Sequence, residues 1–306
     1  MTTVLITGAN GFLGSNLYQY LSLDTNLLVY GLVRKNSFLG SSLDTLKKSS
    51  NLITFNEDLR ELIPLIENIK PDIVIHTATY FHAEHSTDDI YPMIEGVYTF
   101  GNFVLESLAK IQKNLFFINT GSSWQHYENS TNYRAACLHS AHKEAFEKLL
   151  EYYSDAFNIK FTTLKLFDTY GPNDQRKKIV NILIDQILKD CPIDLSYGEQ
   201  LIDLVHINDV CKAYHLIIDM YLNDISINHS YGISSGHEIS LKEISLMISS
   251  IINPGYDKFN WGARPYRKRE VKKNWRNNMN LIPNWYQDFT LYDGLHSLID
   301  KKNGKF

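Results

Sequence analysis

The glycines at the start of the chain have the spacing that phosphate binding requires. A short apolar run, residues 4–7, leads directly into glycines at positions 8, 11 and 14, and an amphipathic helical pattern follows. A strand that passes through glycines into a helix N-terminus holds a dinucleotide pyrophosphate, because the turn is tight and the backbone approaches the phosphate oxygens closely. The sequence therefore predicts an NAD(P) site. Its loop residues are Gly8, Asn10, Gly11, Phe12, Leu13 and Gly14.

Two cations lie at a second position that bears on the cofactor. Arg34 and Lys35 begin twenty positions after Gly14, where an acidic residue would bind the ribose 2′-hydroxyl of NAD. A cation at this position suits the 2′-phosphate of NADP. The sequence therefore predicts a preference for NADP(H), with NAD(H) as the second candidate, and a solvated pair of loop charges is the alternative.

Two pairs of histidines have a spacing that could bind a metal ion. They are His82 with His85 and His139 with His142. Neither pair has a third ligand nearby in the sequence, and isolated pairs are usually solvent-facing or hydrogen-bonded histidines. The sequence predicts no metal site.

The elements that must position these residues alternate between strand and helix. Strand-like runs, with helical patterns between them, cover residues 27–33, 52–55, 73–77, 115–119 and 161–167. This alternation predicts an α/β fold with a Rossmann-type doubly wound parallel sheet and functional residues at the carboxyl ends of its strands. Two long helical patterns, 88–110 and 132–153, carry apolar stripes wide enough to pack against a second subunit.

The regular alternation ends after Tyr170, where a Gly-Pro-Asn-Asp segment breaks the chain. We expect residues 1–170 to form the NAD(P)-binding domain, with 204–235 returning to it, and 171–203 with 236–306 to form a smaller interleaved C-terminal substrate lobe. A stretch rich in Trp, Tyr and Arg in this lobe could stack a nucleobase and bind a diphosphate. The alternative is that its aromatic residues are the core of the lobe.

Composition excludes several classes of protein. The 306 residues carry a formal net charge of −4, which leaves no basic surface for nucleic acid. No apolar run reaches the length of a membrane span and no leader pattern is visible, so we expect a cytoplasmic protein with no membrane partner. The three cysteines have no Cys-x-x-Cys spacing and are predicted to be reduced thiols.

Several further motifs follow one another in a recognisable order over nearly the whole chain. They are Asp58-Leu59, His76-Thr77-Ala78-Thr79, the segment 117–124 that contains Ser122-Ser123-Trp124, and the segments 166–172, 198–209 and 262–270. Together with the glycine loop they resemble the extended short-chain dehydrogenase/reductase family. Within it, they are similar to nucleotide-sugar 4-ketoreductases and epimerases of the CDP-abequose and CDP-paratose synthase kind.

This resemblance implies an NAD(P)-dependent oxidoreductase that acts on a nucleotide-diphosphate hexose in surface-polysaccharide (lipopolysaccharide) biosynthesis. It also implies a homodimer, paired through a four-helix bundle. It places further cofactor contacts at Asp58, Leu59, Thr77, Ala78, Thr79 and Lys143. It places the catalytic hydroxyl at Ser122 and substrate contacts at Tyr80, Ser123, Trp124, Gln200, Arg267 and Glu270.

The expected catalytic tyrosine is missing. In the family a Tyr stands four residues before the Lys, and here His139 stands four residues before Lys143. Residues four apart on a helix share a face, so the imidazole could occupy the place of the phenol. Its reach is shorter, and proton transfer would need a displaced sugar or a bridging water.

Two other family positions are also altered. The Asn of the preceding long helix corresponds to Gly96 or Val97, and the Arg that usually precedes the Asp of the 198–209 segment is Ile202. Of the usual Asn, Ser, Tyr and Lys, only Ser122 and Lys143 remain.

Three interpretations of the catalytic centre follow. In the first, His139 acts with Ser122 in proton transfer. In the second, proton transfer belongs to another side chain, for which the candidates are Tyr80, His82, His126 and Tyr133. In the third, the protein binds cofactor and sugar nucleotide with little or no turnover, because a fold does not guarantee chemistry.

Overall fold

Seven parallel strands form the centre of the computed structural model, which describes residues 1–35, 51–111 and 114–302. The strands are β1 (Thr2–Thr7), β2 (Leu27–Arg34), β3 (Leu52–Phe55), β4 (Ile73–His76), β5 (Leu115–Ser122), β6 (Ile159–Leu166), β7 (Asp168–Tyr170), β8 (Ile193–Leu195), β9 (Leu201–Ile202), β10 (Leu204–His206), β11 (Ser230–Ile233), β12 (Ile239–Ser240) and β13 (Phe259–Trp261). The central sheet has the order β11-β6-β5-β4-β1-β2-β3, and every neighbouring pair is parallel.

Helices cover both faces of this sheet. They are α1 (Phe12–Leu21), α2 (Leu62–Ile69), α3 (90–109), α4 (Leu138–Phe157), α5 (Ile179–Leu188), α6 (Ile207–Leu222), α7 (Leu241–Ile252) and α8 (Leu291–Lys302). Helix α3 contains a π-helical segment, Ile94–Thr99, between two α-helical parts. Helix α4 begins later than the predicted 132, because the backbone of Arg134 hydrogen-bonds to Gln125 and Tyr127 in the loop after β5.

The side chains of the central strands alternate between two hydrophobic cores. Val4 and Ile6 of β1 belong to the core under α1 and α6, whereas Leu5 belongs to the core under α2, α3 and α4. Strands buried on both faces read as continuous apolar runs, because helices cover the sheet from either side. The predicted α/β doubly wound fold is confirmed.

A third core lies among the later elements. Helices α5, α7 and α8 pack around Tyr170 there, and the short pairs β8–β13 and β9–β12 belong to the same part of the chain. Strand β11 returns to the central sheet beside β6. The division into two domains at the predicted boundaries stays a prediction. Within the described ranges, no helix is long and apolar enough to cross a membrane.

Candidate functional site

A cleft of about 1240 Å³ opens at the carboxyl ends of the central strands. Parallel α/β sheets place ligands at this edge, because the loops that follow neighbouring strands converge there. The cleft is lined by most of the predicted site residues: Gly8, Asn10, Gly11, Phe12, Leu13, Gly14, Arg34, Thr77, Ala78, Thr79, Tyr80, Ser122, Ser123, Trp124, His139 and Lys143.

The glycine loop between β1 and α1 forms a cradle with no room for side chains, because an added Cβ would collide with backbone atoms. Gly8 has a φ of +67°, and a Cβ on it would lie 2.8 Å from Cα of Ala78. A Cβ on Gly14 would lie 2.2 Å from the carbonyl oxygen of Gly8. Gly11 precedes α1 in extended conformation and has no side chain to cap the first amide groups of the helix. These features fit a dinucleotide pyrophosphate at the helix N-terminus.

The end of β2 carries an ion pair that the sequence did not predict. The guanidinium of Arg34 lies 2.5 Å from a carboxylate oxygen of Glu95 on α3, and both side chains are about half exposed. Both residues line the cleft, whereas Lys35 does not. To bind a 2′-phosphate, the guanidinium of Arg34 would exchange this carboxylate for the phosphate.

Lys143 projects from α4 into the cleft and is almost completely enclosed. Burial lowers the pKa of its ammonium group to about 8, and the carboxylate of Glu147, one helical turn further on, opposes this shift. The ammonium makes no hydrogen bond within the parts of the chain that the structure describes. A buried cation with free donors fits the hydroxyl groups of a ribose.

His139 lines the cleft, is almost completely buried and is held from two sides. Its Nε2 lies 2.9 Å from Oγ1 of Thr79, and its ring meets the ring of Phe81 edge-to-face at 4.9 Å. Burial and the cations of Lys143 and Lys178 hold the pKa of the imidazole well below its ordinary value. The ring is therefore neutral near pH 7.

Ser122 is fixed at the end of β5 by its neighbours. Its hydroxyl oxygen accepts a hydrogen bond from the amide of Trp124 at 3.2 Å, and its own amide donates to the side chain of Gln125. The side-chain nitrogen Nε2 of Gln125 donates in turn to the carboxylates of Glu144 and Glu147 on α4. The hydroxyl proton of Ser122 stays available to a group in the cleft.

The other candidate proton donors differ in position. Tyr80 lines the cleft, and its hydroxyl donates to Asp89 at 2.9 Å, a bond that raises the pKa of the phenol. His82 also lines the cleft, with Nδ1 3.2 Å from the same carboxylate. Neither His126 nor Tyr133 lines it. Geometry therefore favours His139, Tyr80 and His82 over the other two.

The predicted adenine contacts lie outside the lining of the cleft. Asp58 caps a short 3₁₀ helix, Leu59–Glu61, and its carboxylate pairs with Arg60 at 2.8 Å. Leu59 is buried in the hydrophobic core under α2 and α3. A role for this pair in cofactor binding stays a prediction.

Three predicted substrate contacts also lie beyond the lining. Gln200 hydrogen-bonds to Ser196, and Arg267 forms an ion pair with Glu270. The guanidinium of Arg267 lies 5.2 Å from the centre of the Trp124 ring, so it stands next to a residue that does line the cleft.

Sequence reasoning missed three cations that line the cleft, Arg176, Lys177 and Lys178. The ammonium of Lys178 lies 4.2 Å from the centre of the Phe81 ring, and burial lowers its pKa. The guanidinium of Arg176 lies 4.2 Å from the centre of the Phe12 ring, next to the glycine loop. Both belong to a run of three cations after the break that follows Tyr170, and this run was the available signal.

Comparison with known proteins gives a family and several relatives. The model of the NAD dependent epimerase/dehydratase family matches residues 4–231. The CDP-abequose synthase of Yersinia pseudotuberculosis is 28% identical over 268 residues, which are 88% of this chain and 90% of that protein. The CDP-abequose synthase of Salmonella typhimurium is 26% identical over 309 residues, 97% of each chain.

Solved structures share the fold over the full length. The UDP-glucuronic acid 4-epimerase of Bacillus cereus, in complex with UDP-glucuronic acid and NAD, superimposes with a TM-score of 0.86 at 22% identity and covers 100% of both chains. The UDP-glucose 4-epimerase of Thermotoga maritima, with UDP-glucose, gives a TM-score of 0.85 at 19% identity and covers 99% of both.

Proposed function

Because the chain belongs to the NAD dependent epimerase/dehydratase family, we propose that it is an NAD(P)-dependent oxidoreductase acting on a nucleotide-diphosphate hexose. The reaction is that of a 4-ketoreductase, a dehydrogenase or an epimerase. The observation that carries this proposal is a single cleft that joins the glycine cradle to Ser122, His139 and Lys143. The similarity to two CDP-abequose synthases supports it.

Different residues of the cleft would hold different parts of the cofactor. The nicotinamide ring, when bound, supplies the hydride chemistry. The glycine loop would hold the pyrophosphate against the N-terminus of α1, and the ammonium of Lys143 would bind the hydroxyl groups of the nicotinamide ribose. Arg34 would bind a 2′-phosphate in place of Glu95, and we therefore propose NADP(H) as the preferred cofactor over NAD(H).

The chain must also move a proton at the sugar oxygen. Ser122 has a free hydroxyl proton and a fixed oxygen, so it can hold a sugar oxygen by a hydrogen bond. His139 stands where the family has its tyrosine, and its Nε2 is hydrogen-bonded to the hydroxyl of Thr79. Positioned acid–base groups contribute about 10²- to 10⁴-fold to such steps.

The sugar nucleotide would occupy the side of the cleft that is lined by Phe81, Trp124 and Lys178. Phe81 and Trp124 provide apolar walls there, and Lys178 lies against both rings. Its cation, with Arg267 beside Trp124, would attract the diphosphate.

A second function is favoured by one observation. The tyrosine is absent and the imidazole of His139 is buried and neutral, which is the state expected of a protein that binds NAD(P) and a sugar nucleotide with little turnover. One experiment separates the two. The purified protein is loaded with NADPH, a nucleotide 4-keto-6-deoxyhexose is added, and the absorbance of the reduced nicotinamide is followed.

The outcomes are distinct. Oxidation of NADPH in proportion to added ketone supports the oxidoreductase. Saturable binding of both molecules without a change in absorbance supports the binding protein. Failure to bind NADPH and NADH contradicts both functions.

A further inference from the structure

We propose that Thr79 is a catalytic residue whose hydroxyl carries the proton between the sugar oxygen and His139. The inference rests on the proposed oxidoreductase function and assigns to this residue a step that the missing tyrosine would otherwise perform. It differs from the sequence prediction, which placed Thr79 only along the cofactor.

Thr79 and His139 differ in how far they are exposed in the cleft. Both side chains line it, but Thr79 is exposed there, whereas His139 is only 6% exposed. The distance from Oγ1 of Thr79 to Nε2 of His139 is 2.9 Å, a normal hydrogen bond. A substrate oxygen therefore meets the hydroxyl before it meets the imidazole.

The reach of the histidine side chain also matters. An imidazole is shorter than a phenol, and the edge-to-face contact with Phe81 covers part of the ring of His139. A hydroxyl donates one hydrogen bond while it accepts others. Thr79 therefore supplies the length that the substitution of histidine for tyrosine removes, without an intervening water.

Burial and neighbouring charge both disfavour a proton on the ring of His139. Burial is the larger cause of its lowered pKa, and Lys143, Lys178 and the basic His142 act in the same direction. Thr79 and Phe81, which contact the ring from the segment after β4, are uncharged. The ring at rest is therefore a proton acceptor.

During oxidation of a sugar hydroxyl, two protons and one hydride move. The O–H bond of the sugar breaks and its proton goes to Oγ1 of Thr79, while the proton of Thr79 goes to Nε2 of His139. The electron pair of the breaking O–H bond forms the carbonyl π bond, and the hydride leaves the same carbon for an oxidised nicotinamide dinucleotide. Reduction is the reverse, with the imidazolium as the proton source.

The test compares two substitutions at this position. Thr79→Val keeps the shape of the side chain and removes the hydroxyl, whereas Thr79→Ser keeps the hydroxyl and is the matched control. We expect Thr79→Val to slow single-turnover hydride transfer about 100-fold or more, and Thr79→Ser to remain within about 5-fold of wild type. NADPH affinity, measured by fluorescence titration, should change less than about 2-fold in both.

A second measurement does not depend on turnover. In protein without cofactor, the ¹⁵N resonance of Nε2 of His139 should shift in Thr79→Val and keep its wild-type position in Thr79→Ser, because the hydrogen bond is lost only in the first.

Each outcome bears on the proposal. A Thr79→Val protein that transfers hydride at the wild-type rate overturns the role of Thr79 and leaves the oxidoreductase intact. A loss of rate that follows a loss of NADPH affinity also overturns it, because Thr79 would then act on the cofactor. A wild-type protein that binds NADPH and sugar nucleotide but transfers no hydride overturns the proposed function, and the proton-transfer role with it.

Discussion

Replacement of Gly14 by alanine gives the sharpest structural test of the cofactor site. A Cβ at this position would lie 2.2 Å from the carbonyl oxygen of Gly8 and 2.9 Å from Cα of Ala9. Non-bonded heavy atoms are at their optimum near about 3.5–4.0 Å, so the loop must move by about 1 Å to admit the methyl group. Both contacts are backbone atoms, and no side chain can rotate away to relieve them.

The energy of this change can be estimated. Alanine within α1 gains about 1 kcal/mol in helix propensity over glycine, whereas forcing a methyl group into a filled space costs about 1–3 kcal/mol. The fold therefore loses about 0–2 kcal/mol of stability. The displaced carbonyl belongs to the loop that holds the pyrophosphate, so the strain appears as lost affinity. A loss of about 1.4–2.8 kcal/mol corresponds to a dissociation constant for NADPH that is about 10- to 100-fold higher.

The assay is a fluorescence titration of NADPH against wild type, Gly14→Ala and a control, with circular dichroism to verify folding. Gly255→Ala is a suitable control, because a Cβ there meets only one side-chain atom, at 3.8 Å. We expect the control to bind NADPH as wild type does. A folded Gly14→Ala protein with wild-type affinity would show that the glycine loop does not hold the dinucleotide.

The cofactor preference, the pH dependence and the oligomeric state can each be tested. Arg34→Ala should weaken NADPH binding about 10-fold or more and leave NADH binding nearly unchanged in calorimetric titration, because only the 2′-phosphate needs the guanidinium; equal losses for both cofactors would refute this. The rate of ketone reduction, measured by stopped flow, should fall about tenfold per pH unit between pH 6 and 8. The reason is that the imidazolium of His139 is the acid and its pKa lies well below the ordinary value. A flat profile would exclude His139 as the donor. Light scattering at micromolar concentration should give a homodimer, because α3 and α4 carry wide apolar stripes; a 35.3 kDa monomer would contradict the predicted pairing.

The sequence was sufficient for features that depend on local chemistry. The apolar runs that alternate with helical patterns located central strands, and β3 occupies the predicted residues 52–55. The glycine loop was predicted from spacing alone, because the requirement for a tight turn and close backbone approach restricts those positions to glycine.

Contacts between distant segments could not be predicted in this way. The bond between Thr79 and His139 joins residues 60 positions apart, and the ion pair of Arg34 with Glu95 joins residues 61 apart. The later start of α4 has the same origin, because tertiary hydrogen bonds of Arg134 override the helical pattern. A single sequence gives periodicity along each element, and it does not give the register at which elements meet.

The central claim is that this cleft transfers hydride to a sugar carbonyl with His139 in the proton path. The most direct measurement is single-turnover oxidation of bound NADPH by a nucleotide 4-keto-6-deoxyhexose, in wild type and in His139→Phe. We predict that wild type oxidises NADPH, and that His139→Phe binds NADPH equally well but reacts about 100-fold or more slowly. A His139→Phe protein that reacts at the wild-type rate, or a wild-type protein that holds both molecules and does not react, would contradict the claim.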